Sequence, residues 1–103
     1  MKTRALELNG FDGVDSLTLV EAARPEPSPA EILIDVKAAG MNYAELELIR
    51  GKYPPGRPLP YVFGFEASGI VAAVGSGVRN FAVGDRVAAA VSSGGYASYA
   101  TAD

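Results

Sequence analysis

The sequence contains no cysteine, no histidine and no tryptophan. Without cysteine there is no disulfide and no thiolate metal site. Without histidine as well, a zinc ion would rest on carboxylates alone, which zinc sites rarely do. No metal is therefore expected. Charge of one sign is scarce too: nine Lys and Arg stand against twelve Asp and Glu, a net charge of −3. No basic stretch is available to follow a phosphate backbone, which argues against a nucleic-acid partner. No apolar run approaches the roughly 20 residues of a membrane-spanning helix. Glu7 and Asn9 interrupt the apolar segment that a secretory leader needs. These absences lead to the expectation of a soluble, cytoplasmic protein without a membrane partner.

What is present suits one small globular domain, residues 1–103. The hydrophobic fraction is 49%, enough for a core, and 12 glycines and 7 prolines supply many turns. Thr3 to Leu8 and Leu17 to Ala22 read as strands separated by the turn pairs Asn9-Gly10 and Asp12-Gly13. The segment from Arg24 to Pro29 alternates with proline and is read as an extended surface connection. Glu31 to Ala39 is the clearest strand, with Ile32, Ile34 and Val36 on one face and Leu33, Asp35 and Lys37 on a partly polar one. Further strands are expected at Phe65 to Val74, Arg86 to Val91 and Tyr96 to Thr101.

Between them the period changes once. Tyr43, Leu46 and Ile49, with Ala44 and Leu48 beside them, predict a helix of about two turns over Asn42 to Arg50. Asn42 is placed as its N-cap, Glu45 completes a capping box, and Gly51 is placed to end it. Lys52 to Pro60 holds four of the prolines and is read as a stiff loop able to wall a cleft. Strands, turns and one short helix predict a small barrel or sandwich rather than a βαβ array.

Three side chains carry two readings each. Glu66 interrupts the apolar run Val62 to Val71, so it is expected to be at least partly buried. It is either a structural carboxylate that holds a loop or one that lines a cleft. Asn42 is fully explained as a cap, or orients a ligand at the cleft mouth. Tyr53 packs on Pro54 and Pro55, or offers its hydroxyl to a substrate oxygen. Tyr43, Tyr61, Tyr96 and Tyr99 are read as core or rim aromatics. Gly75-Ser76-Gly77 suggests a dinucleotide fingerprint, but Asn80 stands where a third glycine belongs and no helix follows. It is read as a turn.

The run Gly64-Phe65-Glu66-Ala67-Ser68-Gly69-Ile70-Val71, then Val78, Phe81, Gly84-Asp85 and Val87, resembles the signature of the medium-chain dehydrogenase/reductase superfamily. Glu31 to Val36, Ala38-Ala39-Gly40-Met41-Asn42 and Gly94-Gly95-Tyr96-Ala97 with Tyr99 fit the same pattern. The resemblance implies a mainly β fold, a GroES-like small β-barrel with one or two short helices. It implies the N-terminal catalytic domain of a longer enzyme whose Rossmann domain is absent from this chain. Where zinc-dependent members carry a Cys and a His, this sequence has Asn42 and Phe65. It thus resembles the zinc-free quinone oxidoreductase branch, which passes a hydride from NADPH to a quinone or an activated alkene.

In that branch residues matching Asn42 and Tyr53 lie near the nicotinamide and the substrate, and Glu66 carries over as a structural carboxylate of the cleft. Phe63 stands where Pro is common and Glu45 where Asp is common. The resemblance further implies a homodimeric full-length enzyme, no zinc, and no NADPH binding by this chain alone. Two alternatives share the fold: an enoyl-thioester reductase, and a stand-alone GroES-like interaction module.

Overall fold

The computed structural model describes residues 2–51, 59–91 and 94–103. Among the described residues seven strands run in the order β1 (Lys2–Leu8), β2 (Leu17–Ala23), β3 (Ile32–Ala38), β4 (Tyr61–Val62), β5 (Glu66–Val74), β6 (Arg86–Ala90) and β7 (Tyr99–Ala102). A 3-10 turn, Gly13–Ser16, leads into β2, and an α-helix, α1 (Tyr43–Ile49), follows β3. The fold is mainly β, as expected. The 3-10 turn and the two-residue β4 were not foreseen, because elements this short leave no periodic trace.

The strands form two sheets of order β2-β1-β4 and β6-β5-β3-β7, with every pairing antiparallel. β3 is central in the second sheet, with Ile34 opposite Val71 on β5 and Ala100 on β7. Ile32, Ile34, Val71 and Ala102 form one core cluster. Leu33 is also fully buried, so the strand's second face is covered at its start and turns polar only from Asp35 onward. Gly69 lets β5 approach β3 closely: a Cβ there would overlap the Asp35 carbonyl oxygen. No non-glycine residue in that backbone could sit so near.

A second core cluster joins α1 to the first sheet through Leu8, Leu48, Ile49 and Phe63, with Tyr96 packed against it. The helix has the expected period but presents a different face. Tyr43 is 74% exposed and Leu46 is 37% exposed, whereas Glu45, Leu48 and Ile49 are buried. The inward stripe is thus Glu45, Leu48 and Ile49, spaced i, i+3 and i+4. A carboxylate occupies one of its positions, so hydrophobicity alone pointed to the wrong stripe. Gly51 closes the helix as predicted, at φ 77°, with its N–H donated to Leu48 O at 2.9 Å.

The two sheets are tied by the segment 96–98. Leu6 N donates to Tyr96 O, Ser98 N to Arg4 O, and Val36 N to Ser98 O, at 2.8 to 2.9 Å. One stretch of backbone therefore bonds to β1 on one side and β3 on the other, which also fixes the position of Tyr96.

Candidate functional site

A cleft of about 420 Å³ opens between the end of β3 and the facing ends of β5 and β6. Its walls are small: Ala38, Gly40, Ala67, Ser68 and Ala88 to Ala90, with Glu66 as the charged group among its lining residues. Glu66 is exposed, which corrects the expectation that it is partly buried. It begins β5 opposite Ala90. Ala67 takes the inward face at 3% exposure, so the strand's alternation turns Glu66 outward. The run from Val62 to Val71 is not one buried strand, because the chain turns at Gly64, at φ 110°. The Glu66 carboxylate lies against Gly40, in space that any side chain at position 40 would occupy.

The fully buried carboxylate belongs to Glu45, 1% exposed. It was read from sequence only as part of a cap. Its position three and four residues before Leu48 and Ile49 was the signal that it shares their inward face. Glu45 Oε1 accepts from the Asn42 backbone N–H at 2.8 Å and from Asn42 Nδ2 at 3.1 Å. Asn42 therefore stands at the helix start as predicted, in extended geometry at φ −120° and ψ 151°. Glu45 Oε2 is buried and has no hydrogen-bond partner among the described residues.

Tyr96, read as a core or rim aromatic, reaches both features. Its hydroxyl donates to the Gly40 carbonyl at 3.3 Å, and its ring meets Phe63 edge-on at 5.5 Å. Burial, first, then the neighbouring Glu45 carboxylate and the charge of Glu66, push its phenol from 10.0 up to about 12. The phenol hydrogen goes to the Gly40 carbonyl, so Glu45 Oε2 stays without a hydrogen bond among the described residues.

The structure accordingly gathers Asn42, Glu45, Tyr96, Gly40 and Glu66 at one end of the molecule. Asn42 does not itself line the cleft; it lies two residues beyond Gly40, which does. Tyr53 lies outside the described residues. Among the described residues no group of three or more His, Cys, Asp or Glu side chains is arranged to hold a metal ion. Nor does Gly75-Ser76-Gly77 offer a phosphate cradle. Gly75 N–H is donated to Glu31 O at 2.7 Å and Gly77 N–H to Pro29 O at 2.8 Å, so the turn is structural as read. No helix among the described residues is long and apolar enough to cross a membrane.

The sequence pattern of the alcohol dehydrogenase GroES-like domain matches residues 28–103. The human synaptic vesicle membrane protein VAT-1 homolog-like is 44% identical over 88 residues, covering 85% of this chain and 21% of that protein. Quinone oxidoreductase 1 of Escherichia coli (strain K12) is 41% identical over 99 residues, covering 95% of this chain and 30% of that protein. The crystal structure of the human VAT-1 homolog-like protein aligns with a TM-score of 0.94 at 40% identity, over 99% of this chain and 33% of that one. Mycobacterial Rv1454c, complexed with NADPH, aligns with a TM-score of 0.87 at 39% identity, over 97% of this chain and 30% of that one. The chain spans a fifth to a third of the length of these proteins. With its antiparallel sheets and matching sequence pattern, the chain belongs to the alcohol dehydrogenase GroES-like domain family, within the medium-chain dehydrogenase/reductases that include the quinone oxidoreductases.

Proposed function

We propose that this chain is the substrate-side lobe of a zinc-independent, NADPH-dependent oxidoreductase that reduces a quinone or an activated alkene. The observation that carries the reading is the pair Asn42 and Phe65, which stands where zinc-dependent members of the superfamily carry a Cys and a His. Neither an amide nor a phenyl ring is a zinc ligand of the usual kind. Similarity to quinone oxidoreductases and to a mycobacterial protein complexed with NADPH supports the same class.

NADPH, when bound, supplies the hydride. The residues of this chain orient the acceptor and stabilise the negative charge that develops on its oxygen. Without a Lewis acid, hydrogen-bond donors do this work. Asn42, through its side-chain N–H, and Tyr53, through its phenol, are the proposed donors, with Asn42 on the nicotinamide side. Glu66 shapes the cleft wall and repels anionic groups from it. The alanine walls leave room for a flat ring. The pyrophosphate of the cofactor finds no cradle among the described residues, because the glycine-turn N–H groups are already bonded. A separate Rossmann domain is the proposed partner, and the assembled enzyme is proposed to be a cytoplasmic homodimer.

The test is a chimera in which this chain replaces the matching segment of Escherichia coli quinone oxidoreductase 1. NADPH consumption that depends on added quinone, and that falls in Asn42→Ala and Tyr53→Phe, is the expected result. A folded chimera with no quinone-dependent turnover, or with turnover indifferent to both substitutions, rejects the reading.

A further inference from the structure

Two hydrogen-bonded pairs, Asn42 with Glu45 and Tyr96 with Gly40, stand between the helix start and the cleft wall. Asn42 gives two hydrogens to one oxygen of Glu45, from its backbone N–H at 2.8 Å and from Nδ2 at 3.1 Å. Glu45 lies beside Tyr96, whose hydroxyl donates to the Gly40 carbonyl at 3.3 Å. Gly40 leads back to Asn42 through one residue, Met41, which is 76% exposed and takes no part. Glu45 carries a carboxylate into the core, and its Oε2 is left without a partner among the described residues. Burying an incompletely bonded carboxylate is costly. Helix capping alone does not account for it, because the cap uses only Oε1.

The chemistry of the pair decides how the asparagine amide is turned. A carboxylate accepts hydrogen bonds and does not donate them. Turning the Asn42 amide over would set its Oδ1 against Glu45 Oε1, two acceptors in contact with no hydrogen between them. The nitrogen must face the Glu45 carboxylate, which leaves Oδ1 for the Glu45 backbone N–H of the capping box. This orientation follows from the donor and acceptor chemistry and not from the resemblance in shape between the two ends of an amide.

We propose that Glu45 is a positioning residue for Asn42. Its buried carboxylate, buttressed by Tyr96, locks the asparagine amide in one orientation and so fixes which atoms Asn42 offers to a ligand. The lock leaves the second Nδ2 hydrogen as the donor that Asn42 can offer, its Oδ1 being turned to the helix N-terminus by the capping box. The relevance to catalysis rests on the reading of Asn42 as a nicotinamide-side residue; the lock itself does not. The raised phenol value of Tyr96 agrees with a hydroxyl that stays protonated beside the carboxylate. Gln at position 45 keeps an oxygen for the Asn42 backbone N–H and preserves the lock. Met fills similar space, offers no such acceptor, and releases it.

The experiment is nuclear magnetic resonance on the isotopically labelled chain. In the wild type, an Overhauser contact is expected between one Asn42 side-chain amide proton and the Glu45 Hγ protons. Solvent exchange of that proton should be about tenfold slower than for an exposed asparagine, as suits a hydrogen bond to a charged group. Glu45→Gln should keep both signals, and Glu45→Met should lose them while the Phe63 and Val71 resonances stay in place. Tyr96→Phe should reduce the protection without abolishing it. Protection unchanged in Glu45→Met overturns the proposal, as does its loss in a folded Glu45→Gln, and protection unchanged in Tyr96→Phe removes Tyr96 from it. If Glu45→Met fails to fold, the wild-type contact decides alone, and its absence overturns the lock. Should the lock be found and Asn42→Ala leave the chimera's quinone turnover intact, the functional reading fails while the positioning stands.

Discussion

The Glu66 carboxylate lies where a Cβ on Gly40 would stand. Two chain segments 26 residues apart therefore share one volume, and the glycine is the condition for the carboxylate's place. Gly40→Ala should push aside the end of a flexible, exposed side chain, which is a small adjustment. Gly69→Ala should meet the backbone carbonyl of Asp35 across the β3–β5 pairing, which cannot swing away. We expect Gly69→Ala to cost about 1–3 kcal/mol, the range for overpacking, and Gly40→Ala to cost well under that. Urea denaturation of both variants checks the ranking.

Tyr96 should titrate near 12, above the ordinary tyrosine value of 10.0. Its phenol is raised in the folded state, so the stability it contributes is complete below about 10 and is lost as pH rises through about 12. Glu45→Gln should lower the midpoint more than Glu66→Gln, because the Glu45 carboxylate raises the phenol more than Glu66 does. Carbon-13 resonances of the tyrosine Cζ atoms against pH measure the order directly.

Phe63 is 2% exposed and joins α1, β1 and Tyr96 in one cluster. Phe63→Ala should cost about 3–5 kcal/mol through lost burial and the cavity left behind. That is a large part of the 5–15 kcal/mol that holds a typical domain. Chemical denaturation of wild type and variant measures it, and the Tyr96 phenol should move toward 10.0 as its edge-on partner disappears.

Two binding measurements bear on the proposed chemistry. Elemental analysis of the purified chain should find no stoichiometric zinc, and added EDTA should leave its melting temperature unchanged. Calorimetry should find negligible NADPH affinity for the chain alone, since the N–H groups of its glycine turn are already engaged. Micromolar binding would contradict that account.

The strands were legible because their alternation and turn residues agree: β1, β2, β3, β5 and β6 lie within two residues of their expected ends. The last strand begins later than its apolar run, at Tyr99, because Tyr96 to Ser98 bond to both sheets instead of extending one ladder. The site was read less well, and for one reason. Apolar pattern was taken as a guide to burial, so Glu66 in an apolar run was expected inside and Glu45 on a mixed helix was not. Alternation after Gly64 sends the first out, and the helical period sends the second in. Position within the element outweighed the company each residue keeps in sequence. Asn42 was placed correctly as a cap because capping is a local relation. Tyr96 was missed as a site residue because its partners, Gly40 and Glu45, are more than fifty residues away.

The bonds that residues 96–98 make to both sheets have a consequence for the order of assembly. Tyr99 N reaches Thr3 Oγ1 across 96 residues of sequence, so β1 is fully tied down only once that later segment has been made. On the ribosome the β1–β2 hairpin can form at once, while the joint between the sheets stays open until those residues have left the exit tunnel. The nascent chain therefore passes through a stage with two unjoined sheets and an exposed β3 edge, and that stage is when it is most open to chaperones and to misassociation.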